Sequence, residues 1–145
     1  MRMSQPDNPL KARAKALGLT LVERDVIPPT RKAHQCTEYA RSKGALGPFH
    51  AALIERYWAQ GENLNDWACL EGAAAQVGLD AAQMRQQVEA GDWQHAMDEG
   101  LEAARQLGIN AVPTFIVGNK FVIQGAQDAQ VFRQAFDKLA TSRPR

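Results

Sequence analysis

Two short apolar runs near the end of the chain, Thr114-Phe-Ile-Val117 and Lys120-Phe-Val-Ile123, flank Gly118-Asn119. A two-residue spacer of this composition permits the positive backbone angles of a primed turn, so the pattern predicts a β-hairpin. An isolated hairpin is marginally stable in water and needs a cover. The following segment supplies one, because Val131, Phe132, Ala135, Phe136 and Leu139 fall on one helical face. Val112-Pro113 stands just before the first run, where a missing proline N–H costs little. Taken by itself, that X-Pro bond is expected to be trans.

The chain upstream reads as helices separated by glycines. Lys11 to Leu17 favours helix and Gly18 stops it; Leu19 to Asp25, rich in Leu, Thr and Val, predicts a short strand; Ile27-Pro28-Pro29 breaks it. A helix then starts near Thr30, with Ala33, Cys36 and Ala40 at helical spacing, and Gly44 and Gly47 separate it from the next. Phe49, Leu53 and Tyr57, with Ala52 and Ile54 beside them, form that helix's stripe, ended by Gly61. Trp67, Leu70, Ala74 and Val77 mark another, closed by Gly78. Asp80-Ala-Ala-Gln83 has the form of a capping box, with Leu79 and Met84 as a hydrophobic staple. Asp92 reads as the N-cap of a helix carrying Trp93, Met97, Leu101 and Ala104, which Gly108 ends. The first ten residues read as a loose lead-in and Thr141 to Arg145 as a frayed tail. The whole predicts a helix-rich α+β fold in a single domain, residues 1–145.

Composition narrows the function classes. The formal net charge is +1 with both signs interspersed, which offers no electrostatic footprint for nucleic acid and no polybasic membrane patch. No apolar stretch follows Met1 that resembles a signal sequence, and no run approaches bilayer-spanning length, so the expectation is a cytoplasmic protein. Cys36 and Cys69 are the only cysteines and form no Cys-x-x-Cys pair.

The order helix, Gly-Ile, Val-Pro-Thr, strand, Gly-Asn turn, strand, Gly-Ala-Gln and amphipathic helix resembles the C-terminal half of a thioredoxin fold. With "PTRKAHQCTEYARSKG" upstream of "LGINAVPTFIVGNKFVIQGAQDAQVF", the chain is similar to the DsbA-like thioredoxin superfamily, specifically its FrnE type. The resemblance runs from roughly Lys15 to Phe136. It implies a partial thioredoxin-like fold, with a helical insertion over 30–107 and a C-terminal hairpin and helix over 109–140. It further implies a cis proline and a substrate-facing loop made of Val112, Pro113, Thr114, Gly125, Ala126 and Gln127. That loop would hold an extended peptide or a thiol ligand like an added strand. The family includes protein-disulfide oxidoreductases, and its relatives include 2-hydroxychromene-2-carboxylate isomerases and kappa-class glutathione transferases. Pro29 and Ala111 depart from the family's usual asparagine and glycine. The larger departure is the family's opening strand, Cys-x-x-Cys (or serine) turn and active-site helix, none of which is found here.

Thiol–disulfide exchange needs a low-pKa thiolate with a resolving thiol nearby. Cys36 and Cys69 each lie within a helical pattern and read as buried structural thiols, in preference to a redox role or a disulfide between them. His34, His50 and His95 are scattered, so neither a metal nor another cofactor is expected. Asp98, Glu99 and Glu102 read as a solvated face. Trp58, Trp67 and Trp93 read as core rather than pocket. The functional expectation is a truncated or degenerate oxidoreductase-family member that retains the proline loop, with no catalytic residue assigned. The alternatives are a non-catalytic peptide-binding or assembly module and, third, a glutathione-dependent isomerase or transferase relative. A strand over Thr114 to Val117 without the family's first strand beside it exposes an unpaired edge. The further expectation is therefore a homo-oligomer or a partner chain that completes the sheet.

Overall fold

The computed structural model describes residues 9–141; the lead-in over 1–8 and the tail beyond Thr141 lie outside them. The described chain runs α1 (Pro9–Ala16), α2 (Arg31–Ser42), α3 (Leu46–Trp58), α4 (Trp67–Gln76), α5 (Ala81–Ala90), α6 (Gln94–Gln106), β1 (Thr114–Val117), β2 (Phe121–Gln124) and α7 (Ala129–Thr141). It is a helix-rich α+β chain with a two-stranded sheet. It divides into two compact units, Met1–Glu99 and Gly100–Arg145, with the division inside α6.

In the first unit, α2 to α5 bury one core. Cys36, Tyr39 and Ala40 meet Phe49, Ala52, Leu53, Leu70, Ala73, Ala74, Met84 and Val88. The abundance of alanine lets the helices approach closely, and the few large side chains fill what remains. Tyr39 is the one core residue with a polar tip, and its hydroxyl donates to Gln83 Oε1 at 2.9 Å. This partly corrects the expected capping box. Asp80 Oδ1 does accept from the Gln83 backbone N–H at 2.9 Å, but the Gln83 side chain is taken up by Tyr39. Satisfying a buried hydroxyl is worth more than a second bond at a solvated helix end.

Several local expectations need correction. Leu19 to Asp25 forms no strand: Val22 N–H bonds to Trp58 C=O at 2.8 Å, and the Arg24 guanidinium lies over the Tyr57 ring at 3.7 Å. That segment docks on the end of α3 and finds no ladder. Gly47 does not separate helices but sits inside the first turn of α3 beside Pro48, where proline's missing N–H has no helical partner to lose. Ile54 is exposed rather than part of the stripe. Asp92 is not an N-cap: its N–H closes the end of α5 on Gln87 C=O at 3.1 Å, and α6 starts at Gln94. Its neighbour Trp93 packs edge-on against Tyr39, with ring centroids 6.0 Å apart, while Leu101 is exposed. Pro9 and Leu10, expected in the lead-in, belong to α1.

In the second unit the hairpin forms one residue out of the expected register. The antiparallel pairs are Thr114↔Gln124, Phe115↔Ile123, Ile116↔Val122 and Val117↔Phe121. Three residues, Gly118 to Lys120, therefore join the strands. The shift matters because side chains alternate between faces. Phe115, Val117, Phe121 and Ile123 now share the face on which Phe115 meets Phe132 of α7 edge-on at 4.9 Å. Gly118 and Asn119 both have positive φ, 59° and 55°. A Cβ at Gly118 would also stand 2.7 Å from two Leu139 carbons, so α7 packs directly onto the turn. Gly118→Ala is expected to lower stability by more than about 1 kcal/mol, through φ strain and the clash together. An unchanged urea midpoint for this variant would contradict that packing.

Candidate functional site

The loop before β1 brings together four of the six residues expected there. The Val112–Pro113 peptide bond is cis. Pro113 C=O accepts from Gly125 N–H at 2.8 Å, which ties the start of β1 to the end of β2. Gly125 makes this approach with φ 79°, a conformation that side chains rarely adopt. Thr114 Oγ1 donates to Ala111 C=O at 2.6 Å and so fixes the approach to the proline. Ala126 and Gln127 continue the turn. The Gln127 side-chain amide donates to Gln124 C=O at 2.9 Å.

The bond between Gly125 and Pro113 also sets which backbone groups stay open. Bonded and non-bonded pairs alternate along an antiparallel ladder. With 113 and 125 bonded, the next bonded pairs are Phe115↔Ile123 and Val117↔Phe121. The N–H and C=O groups of Thr114 and Ile116 then point away from β2. Among the described residues the sheet has no third strand to meet them. Val112 continues the same series: it is 89% exposed, and none of the described residues hydrogen-bonds its N–H or C=O. The outcome is a row of alternate open backbone groups at Val112, Thr114 and Ile116. The sheet face opposite α7 is also uncovered, with Ile116 43% and Val122 65% exposed.

The two cysteines lie elsewhere and are free and buried, which removes the disulfide alternative. Burial pushes the Cys36 thiol up to about 12, against a smaller downward pull from Lys32. Burial, with the adjacent Glu62 carboxylate, pushes Cys69 up to about 11. Glu62 is itself gripped by Arg56 Nη1 at 3.0 Å to both carboxylate oxygens, and the absence of a side chain at Gly72 leaves room for that guanidinium. Both thiols are therefore the reverse of an activated nucleophile. His34 and His50 are exposed, and His95 faces Glu99 at 3.4 Å on the surface. Among the described residues no three metal-ligating groups stand together, and no helix is long and apolar enough to cross a membrane.

Some functional groups had no signal in the linear pattern. Trp67 was expected in the core, but it is half-buried and lines a groove with Arg31 and Lys32. Trp58 is likewise only half-buried. The open backbone groups depend on ladder phase, which follows from register and not from residue type.

The described chain is thus helix-rich, with a cis Val112–Pro113 bond leading into its hairpin. Residues 6–137 match the model of the DSBA-like thioredoxin domain, and the chain belongs to that family. It is 29% identical over 125 residues to uncharacterized protein YwbO of Bacillus subtilis (strain 168), covering 84% of this chain and 62% of that protein. The crystal structure of the probable DsbA oxidoreductase SCO1869 from Streptomyces coelicolor is similar, with a TM-score of 0.81 and 29% identity. That similarity covers 94% of this chain and 60% of the other. The chain thus spans about three-fifths of the length of these relatives.

The thiol environment makes a chemical prediction. A group whose folded pKa lies above its ordinary value of 9.0 contributes stability below that value and loses it as pH rises through the folded pKa. Stability is expected to fall between about pH 9 and 12, and less steeply in Cys36→Ala. At neutral pH, iodoacetamide should label both thiols far more slowly in the native protein than in urea. Labelling at the rate of a free thiol would contradict their burial.

Proposed function

We propose that this chain is a FrnE-type member of its family that works as the substrate-presenting part of a thiol–disulfide site. The observation that carries the proposal is the open series at Val112, Thr114 and Ile116, which can pair with an extended peptide as an added strand. A thiol ligand lying along the same loop would meet the same groups. The oxidoreductase side of the proposal is supported by family membership and by the likeness to SCO1869, a probable DsbA oxidoreductase. Dithiol exchange needs an accessible thiolate, and Cys36 and Cys69 offer none. In this proposal the reactive pair comes from outside residues 9–141, from another chain or from the rest of a longer polypeptide.

A second reading, an assembly module, is favoured by the bare β1 edge and the exposed Ile116–Val122 pair beside it. Such an edge invites a second copy or a partner chain to complete the sheet.

Two measurements test these proposals. In an insulin-reduction assay, the wild type and Cys36→Ser/Cys69→Ser are both expected to leave the uncatalysed rate unchanged. Activity present in the wild type and lost in the double variant would restore a redox role to these cysteines. For the assembly reading, light scattering at micromolar concentration is expected to show self-association. A monodisperse monomer would sink self-pairing.

A further inference from the structure

A second surface, wholly within the Met1–Glu99 unit, has no part in the proline loop. A groove of about 460 Å³, in the size range of ligand sites, opens between the start of α2, the start of α4 and the end of α5. We infer that this groove binds an extended peptide segment carrying a carboxylate next to an apolar side chain. The inference does not rest on the proposed function, and either can fail without the other.

The charge balance is the first observation. Lys32 Nζ donates to Asn65 C=O at 2.8 Å and stands 4.8 Å from the centre of the Trp67 ring. Among the described residues no carboxylate lies within ion-pair distance of it. Arg31 next to it is loosely held, 3.8 Å from Asp98, with its side chain mostly exposed. The groove's acid, Glu89, holds Arg85 Nε at 3.0 Å, and Arg85 also meets Glu71 at 3.3 Å, so these three groups together sum to one negative charge on the α5 side. At its α2 end the groove therefore holds one half-buried cation, Lys32, with no carboxylate paired to it among the described residues, and a charge-assisted bond to a ligand carboxylate is open there.

The second observation is the floor. Trp67 and Val88 line the groove beside those cations, and Arg85 lies 5.1 Å from the ring centre on the same indole. An apolar side chain laid on Trp67 and Val88 brings its neighbour's carboxylate within reach of Lys32. The third observation is Gln35, whose amide nitrogen is spent on Gln94 Oε1 at 3.0 Å. Gln35 lines the groove, and its carbonyl oxygen, which accepts no bond from the described residues, is left as an acceptor for a peptide N–H. These three groups, a cation, an apolar platform and a backbone acceptor, are what one acidic residue in a peptide requires.

The test titrates isotope-labelled full chain with acetyl-Ala-Leu-Glu-Leu-Ala-amide and with its Glu→Gln counterpart, followed by amide and indole resonances. The Glu peptide is expected to shift Gln35, Asn65 and the Trp67 indole, and to weaken as salt is raised. Lys32→Met keeps the aliphatic stem over the indole and removes the charge. It is expected to weaken the Glu peptide about fivefold and leave the Gln peptide unchanged. Arg31→Gln, at an exposed position, is the companion variant should Lys32→Met loosen the Asn65 turn, and it should weaken the same peptide in the same direction. Equal binding of the two peptides would overturn the inference, as would an absence of shifts at these residues up to millimolar peptide.

Discussion

A two-stranded sheet has two edges and two faces, and one helix can cover only one of these. In the Gly100–Arg145 unit, α7 covers the face carrying Phe115, Val117, Phe121 and Ile123, and it anchors the turn through Leu139 against Gly118. The opposite face and the outer edge of β1 are what remain. Two short strands gain little from a single ladder, so the unit depends on that aromatic and aliphatic packing. The same constraint creates the open edge on which the proposed function rests. Because Gly125 bonds to Pro113, the ladder phase is fixed, and the unpaired groups of Val112, Thr114 and Ile116 line up on the free edge.

The Met1–Glu99 unit is built on a different principle. Its small-residue helices close around Tyr39, Phe49, Leu70 and Met84, and the buried Tyr39 hydroxyl is satisfied by Gln83. Such a core leaves no room for a reactive cysteine. Cys36 and Cys69 occupy packing positions, and burial holds both in the neutral thiol form. Polar chemistry in this unit is pushed to the helix ends, where Lys32, Arg31 and Gln35 meet the exposed side of Trp67.

Much of this was legible in the sequence where the signal is local. Glycine stops, the apolar stripes of Phe49 and Leu53 and of Phe132 and Ala135, and the hairpin itself follow from periodicity and turn chemistry. The family was legible too, because Val-Pro-Thr, the hairpin and Gly-Ala-Gln occur in a fixed order. What was not legible depends on competition between partners. Gly118-Asn119 fits a two-residue turn, yet pairing Val117 with Phe121 brings Phe115, Val117, Phe121 and Ile123 onto one face, the face on which Phe115 meets Phe132 of α7. Leu19 to Asp25 has strand-like composition, but the end of α3 offered it a carbonyl and a tyrosine ring. The groove draws on residues 31–35, 65–67 and 88–89, a spacing that no linear motif records.

The proline loop can position an extended backbone, and nothing among the described thiols is suited to reacting with it. In the proposed reading, presentation belongs to this loop and reaction to thiols outside residues 9–141. Amide hydrogen exchange along residues 112–117, with and without an excess of an extended peptide, tests the central claim most directly. Phe115 and Val117 should be protected in both states, and the peptide should add protection at Val112, Thr114 and Ile116. Fast exchange at those three amides in both states, or slow exchange at them before any peptide is added, would contradict an open edge that receives a strand.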